Sequence, residues 1–307
     1  MLRKDGCIFR QMVCFFALVA IGPEVARAQG DAIRLPEPVP ITLRSAASSP
    51  VAAVRDSPRL LPPEPSAGLR EAARLLLPQY RMNIDLDTVG GQVHVEETVR
   101  WTNPGPVSTK SLVFHVIPNN KPDEKTLAIA ERTVESLRLD PRNTIDREGQ
   151  RFHLQSVESG GQRLQSHFDP KADTHLHIQL SEEVLPGQSV EVTLKFDLDL
   201  PPKQGRLGQH KGVTNLLNWY PILAAYSDQG WDAVPYIPWH QPWLNEAGVY
   251  NVRLRLSPGQ EAATGGHVVA RSTDETGHSI LDIEGVGLRD FTVVASDRFE
   301  VYETVSN

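Results

Sequence analysis

The chain has 307 residues, a net charge of −7, 40% hydrophobic residues and two cysteines. That length is enough to build a sizeable core by burial alone. The acidic balance leaves no basic stripe for a phosphate backbone, which argues against nucleic acid and anionic membrane surfaces as partners.

In chain order, the first predicted element is an export signal. Arg3, Lys4 and Arg10 make a positive start, Val13 to Gly22 (VCFFALVAIG) is an apolar run, and Ala26-Arg27-Ala28 supplies a small-x-small cleavage pattern before Gln29. The run is half of the roughly 20 apolar residues that a spanning helix needs, so no stable membrane anchor is expected. Residues 1–28 therefore read as a signal peptide, and the chain as exported to the periplasm or the extracellular space. Both cysteines, Cys7 and Cys14, lie in this signal, so the mature chain has no disulfide, thiolate metal site or cysteine nucleophile. The signal also takes away Arg3, Lys4, Arg10, Arg27, Asp5 and Glu24, leaving 27 basic against 36 acidic residues, a net −9.

Residues 29–65 read as a flexible linker. Eight prolines fall between Leu35 and Pro65, and Pro36, Pro38 and Pro40 alternate, which favours polyproline-like extension. Ser66 to Leu77 (SAGLREAARLLL) then predicts one short helix, capped by Ser66 and stopped by Pro78, so 66–78 is a helical lead-in.

After Gln79 the hydrophobic period becomes two. Arg81–Asp87, Gln92–Thr102 and Leu112–Ile117 are successive strand candidates separated by Gly90-Gly91 and Asn103-Pro104-Gly105. In Val190–Leu200 the apolar set Val190, Val192, Leu194, Phe196, Leu198 and Leu200 alternates with Glu191, Thr193, Lys195, Asp197 and Asp199. Such alternation requires one face on a core and one in water. His175–Leu180, Tyr250–Leu256, His278–Ile283 and Phe291–Ala295 continue the series. No segment after residue 78 shows a helical stripe longer than two turns. Residues 79–307 are accordingly expected to form one all-β domain, an antiparallel multi-sheet saddle or sandwich.

Residues 201–248 interrupt the alternation. They hold Trp219, Trp231, Trp239 and Trp243, with prolines at 221, 235, 238 and 242 that prevent a continuous ladder. Long excursions of this kind are usually functional or lie at interfaces. Two readings stand side by side. In one the tryptophans plug a sheet end; in the other Trp219, Tyr220, Tyr226, Trp231, Trp239, Trp243 and Glu246 make a platform for a partner domain, a peptide or a carbohydrate.

Several pieces taken together carry a resemblance. They are Asn218-Trp219-Tyr220-Pro221, Tyr226, Gly230-Trp231, Glu246 to Val252 and Ala263-Thr264-Gly265, flanked by Glu97 to Asn103, Leu112 to His115, and Leu288-Arg289-Asp290-Phe291 with Ser296 and Phe299. Their order resembles the N-terminal domain of the aminopeptidase-N-like gluzincin zinc metallopeptidases, bacterial branch, over about residues 79–304. The resemblance implies a saddle-like, non-catalytic all-β domain that packs against a catalytic domain and shapes its substrate cleft. The zinc would lie in that catalytic domain, held by His-Glu-x-x-His and a later glutamate. This sequence contains no His-Glu pair and no Gly-x-Met-Glu-Asn motif, its only methionines being Met1, Met12 and Met82. No catalytic residue, metal ligand or cofactor is therefore assigned to the chain. The implied partner is a catalytic metallopeptidase domain, in cis or in trans, or a peptide. The alternative is a secreted β-sandwich module that binds peptide or carbohydrate through the 219–243 region.

Smaller signals read blandly. His175 and His177, two apart on a strand, share a face, with nearby His167 and His153 as third ligands only if strand pairing brings them in, yet Leu176, Ile178 and Leu180 already account for the strand. Asp228, Asp232 and Glu246 are acids in a turn-rich region, where acids are common. Arg289 and Asp290 read as an ion pair that fixes a strand end.

Overall fold

The alternating sequence becomes strand almost everywhere it was expected. The computed structural model describes residues 68, 71, 75–237 and 245–300; the signal at 1–28 and the linker at 29–65 lie outside them. Of the described residues of the 66–77 stretch, Gly68, Glu71, Leu75 and Leu76 are helical and Leu77 is in a bend. The chain then runs through β1 (Gln79–Asp87), β2 (Gln92–Thr102) and β3 (Thr109–His115), two helices, α1 (Glu124–Ser136) and α2 (Pro141–Thr144), and β4 (Phe152–Ser159) to β8 (Ser189–Asp199), with β5 (Gln162–Arg163), β6 (Gln165–Asp169) and β7 (Ala172–Val184) between. The central region supplies β9 (Leu207–His210), β10 (Val213–Leu216), β11 (Ile222–Leu223), β12 (Ala225–Ser227) and β13 (Gly230–Asp232). The last strands are β14 (Gly248–Leu256), β15 (Glu261–Thr264), β16 (His267–Thr273), β17 (Ser279–Leu288) and β18 (Val293–Ser296).

These strands form an eight-stranded sheet of order β16-β17-β14-β1-β2-β8-β4-β5, two four-stranded sheets, β15-β18-β10-β9 and β11-β3-β7-β6, and the β12-β13 hairpin. All three large sheets contribute to one apolar core. In the large sheet the inward rows are Tyr80, Met82, Ile84 and Leu86, then Val93, Val95, Val99 and Trp101, then Val192, Leu194, Phe196 and Leu198, with Val252, Leu254, Leu281 and Ile283 beside them. The outward face is laced with cross-strand ion pairs: Glu96 with Lys195 at 2.9 Å, Arg253 with Asp282 at 3.3 Å, and Arg255 with Asp85 at 3.0 Å and Asp274 at 2.9 Å. Asp85, Glu96, Lys195, Arg253 and Arg255 line a shallow groove of about 540 Å³ whose charges largely neutralise one another.

Three expectations need correction. The 201–248 region is not an excursion from the sheets. It gives β9 and β10 to one four-stranded sheet and β11 to the other. Nor is the large sheet wholly antiparallel, because β1 pairs β14 in parallel from Gln79↔Val249 to Leu86↔Leu256. Helix α1 was not expected at all. Asp123 caps it by accepting from Thr126 N, and Ala130 and Val134, flanked by Leu127, pack on Leu139 and Ile145 as a small cluster separate from the main core. That stripe is three residues wide among Lys125, Glu131, Arg132 and Glu135, too thin to stand out by periodicity.

The parallel pairing brings the Tyr80 and Tyr250 rings face to face, 4.7 Å apart with 5° between their planes. Gly248 makes room for them: a Cβ there would lie 2.8 Å from Tyr80 Cε2 and 3.1 Å from Tyr250 Cε2. Gly248→Ala is expected to cost about 1–3 kcal/mol through overpacking. Urea denaturation reads this directly, and an unchanged midpoint would mean that the rings shift freely.

Candidate interface at the aromatic segment

Trp219 and Tyr220 follow Asn218, which holds a left-handed φ of 50° after β10, a conformation that asparagine tolerates better than most residues. The turn drives both rings inward, and both are fully buried. Trp219 Nε1 donates to Phe291 O at 2.8 Å. The Tyr220 hydroxyl donates to Tyr250 Oη at 2.9 Å and accepts from Phe291 N at 3.0 Å. Tyr80 Oη accepts from Leu223 N at 3.2 Å. Asn218 donates through its backbone and side-chain nitrogens to Asp290 Oδ2, at 3.0 and 3.2 Å. Asn245 and Arg289 exchange bonds, side chain to backbone, in both directions. Ala263 and Thr264 pair with Val294 and Val293 on β18, and Gly265 N donates to Thr292 O. Pieces of sequence more than seventy residues apart thus close into one hydrogen-bonded knot.

This knot corrects the platform reading for its first members. Trp219 and Tyr220 are core residues with no face for a partner. Arg289 and Asp290 do not pair with each other; each is tied to an asparagine. Asp290 is half-buried with its Oδ1 enclosed and unpartnered, and desolvation raises its carboxyl to about 6, well above the ordinary aspartate range.

Tyr226 and Trp231 face each other across the β12-β13 hairpin, where Gly230 takes a positive φ. With Trp101 of β2 they form a triad with ring centroids 4.7–5.3 Å apart. Tyr226 is buried, whereas Trp231 is half-buried and donates through Nε1 to Ser111 O at 2.9 Å. Asp228 and Asp232 are exposed on this hairpin. Trp239 and Trp243 lie outside the described residues. Glu246 is half-buried and its carboxyl is raised by desolvation. Among the described members of the platform, Trp231 and Glu246 therefore keep surface for a partner, and Ile237, outside the predicted set, adds an aliphatic side chain with about half its surface exposed.

His175 and His177 do share a face of β7. His115 of β3 stands opposite His175, and His167 of β6 opposite His177. His167 and His177 stack at 5.3 Å, and His175 Nε2 meets Val234 O at 3.0 Å. His153 lies elsewhere, on β4, paired with Asp199 at 2.7 Å. Among the described residues no three His, Cys, Asp or Glu side chains converge to hold a metal ion.

Sequence reading missed one titratable group in plain view. Glu97 is fully buried near Tyr80 and Tyr250, with neither carboxylate oxygen hydrogen-bonded, and burial raises its pKa well above the ordinary value. The signal was its phase: Glu97 continues the inward series Val93, Val95, Val99 and Trp101.

No family model and no curated protein matches the chain. Solved structures with a partly similar course include an M1 zinc metallopeptidase from Deinococcus radiodurans, with 11% identity over 72% of this chain and a TM-score of 0.43. A mutant of that enzyme bound to a Tyr-Ser-Ala substrate gives 11% and 0.44, again over 72% of this chain. A two-domain M1 zinc metallopeptidase mutant bound to L-arginine gives 10% and 0.43. The chain spans 42% of the length of each of these chains. Similarity at this level assigns neither a family nor an activity.

Proposed function

We propose that the chain is the non-catalytic β domain of an aminopeptidase-N-like zinc metallopeptidase, exported from the cell, which packs against a catalytic domain and shapes its cleft. The observation that carries this reading is the knot. Of the pieces of sequence behind the resemblance, 218–221, 246–252 and 288–291 are scattered along the chain yet bonded to one another in space, and 263–265 pairs with 292–294, just after the last of them. A chance match of short words has no reason to close in this way. The surface offered to the catalytic domain is the half-buried rim of Trp231, Ile237 and Glu246, since aromatic and aliphatic anchors lead at interfaces. A module that binds peptide or carbohydrate would have to rely on Trp231, Trp239 and Trp243, because Trp219 is closed inside the core.

The purified chain is expected to hydrolyse no aminoacyl-p-nitroanilide and to retain no zinc after dialysis against a chelator, read by atomic emission. Folded by circular dichroism, it should still bind a hydrophobic dye at the rim. Stoichiometric zinc retained together with hydrolysis would overturn the non-catalytic reading.

A further inference from the structure

The stretch Trp231–Ile237 crosses the histidine-bearing face of the β3–β7 pair. At one end Trp231 Nε1 is bonded to Ser111 O, and in the middle Val234 O meets His175 Nε2 at 3.0 Å. Beneath it lies His115, 3% exposed, with neither ring nitrogen hydrogen-bonded. Its ring sits 5.5 Å from that of His175. A proton taken up there would create an uncompensated charge in a closed site, beside a second imidazole. Residues 233–237 belong to no strand, whereas His115 is otherwise held between paired strands, so the covering stretch is the wall of the site that lifts at least cost.

We propose that His115, beside His175, forms an acid-sensitive latch under Trp231–Ile237, closed while the His115 ring is neutral and released on acidification. His115 is the driving group. The His175–Val234 bond survives protonation, because Nε2 can donate in either state. The groups facing His115 are His175 on β7 and Asp232 on β13; farther along the same face stand His177, His167 and Asp169. Asp232 favours the imidazolium and opposes release, but it is exposed and outweighed by desolvation and by His175, so the closed-state value stays near 4 against 6.5 for a free ring. A histidine depressed in the closed state stabilises that state above the free value, and the contribution is lost as pH falls from 6.5 towards 4. Between pH 7.5 and 5.0 the open population should rise about 30-fold.

Amide hydrogen exchange of the purified chain at these two pH values, corrected for intrinsic rates, tests the latch without reference to any partner domain. Protection across 231–237 is expected to fall about 30-fold, while the amides of β1 and β2 keep theirs. In His115→Phe, which keeps a ring without a titratable nitrogen, the fall should shrink to under about 3-fold. His115→Gln serves if the phenylalanine variant does not fold. No loss of protection in the wild-type chain, an equal loss in a folded variant, or a loss spread evenly over β1 and β2 would each overturn the latch.

Discussion

Replacing Glu97 by glutamine is expected to stabilise the chain at pH 8 by a few kcal/mol, and to remove most of a decline in stability between pH 5 and pH 8. Glu97 is held protonated in the folded state because both oxygens are buried without partners. The unfolded chain releases that proton near the ordinary glutamate value, so folding must take up a proton at neutral pH. A carboxyl raised in the folded state contributes its full stability below the unfolded pKa and loses it as pH rises, by about 1.4 kcal/mol per unit. Glutamine has nearly the same shape and no charge to suppress. Urea denaturation of both proteins at pH 5, 6.5 and 8 separates the outcomes. Parallel pH profiles would mean that Glu97 finds water or a donor in solution. The His115 effect runs the opposite way and is confined below pH 6.5; the raised carboxyls of Asp290 and Glu246 act in the same direction as Glu97, and the difference between the two proteins isolates the Glu97 share.

Trp219→Ala should be the most damaging single change in the aromatic segment, costing about 3–5 kcal/mol. It would open a cavity at the meeting point of the sheets and leave Phe291 O without its donor. Trp219→Phe should recover much of the packing but not the bond, leaving about 1–3 kcal/mol of the loss. Trp231→Ala is expected to cost clearly less than Trp219→Ala, since part of the ring already faces solvent. Thermal or urea denaturation checks the order. If Trp219→Ala were as mild as Trp231→Ala, the two residues would share a surface role and the knot would be incidental.

What the sequence discloses about this fold depends on whether a residue's role is set locally. The boundaries of β2 can be read directly, because Gln92–Thr102 alternates without interruption between two glycine-bearing turns. The same alternation already places Glu97 inside, and only the habit of assigning carboxylates to water hides it. Helix α1 escapes because its apolar stripe serves a satellite cluster rather than the core. Trp219 and Trp231 look alike as letters. One is buried and the other borders the surface because of Phe291 and Ser111, partners 72 and 120 residues away. The platform could be located by composition, but not divided into core and rim. The candidate rim itself, with His115 under it, depends on which strand faces which, and nothing local encodes that.

The parallel pairing of β1 with β14 also sets a timetable for folding. The strand that starts the domain sits in the middle of the large sheet, and one of its two edges stays open until residues 249–256 arrive. A contact spanning about 170 residues must bear its loop-closure entropy before it returns any burial, which slows folding and makes it all-or-none. A fragment ending before Gly248 would present β1 as a bare apolar edge, a template for aggregation rather than a smaller domain. The large sheet therefore stays incomplete until residues 248–256 have been made, and the domain commits late.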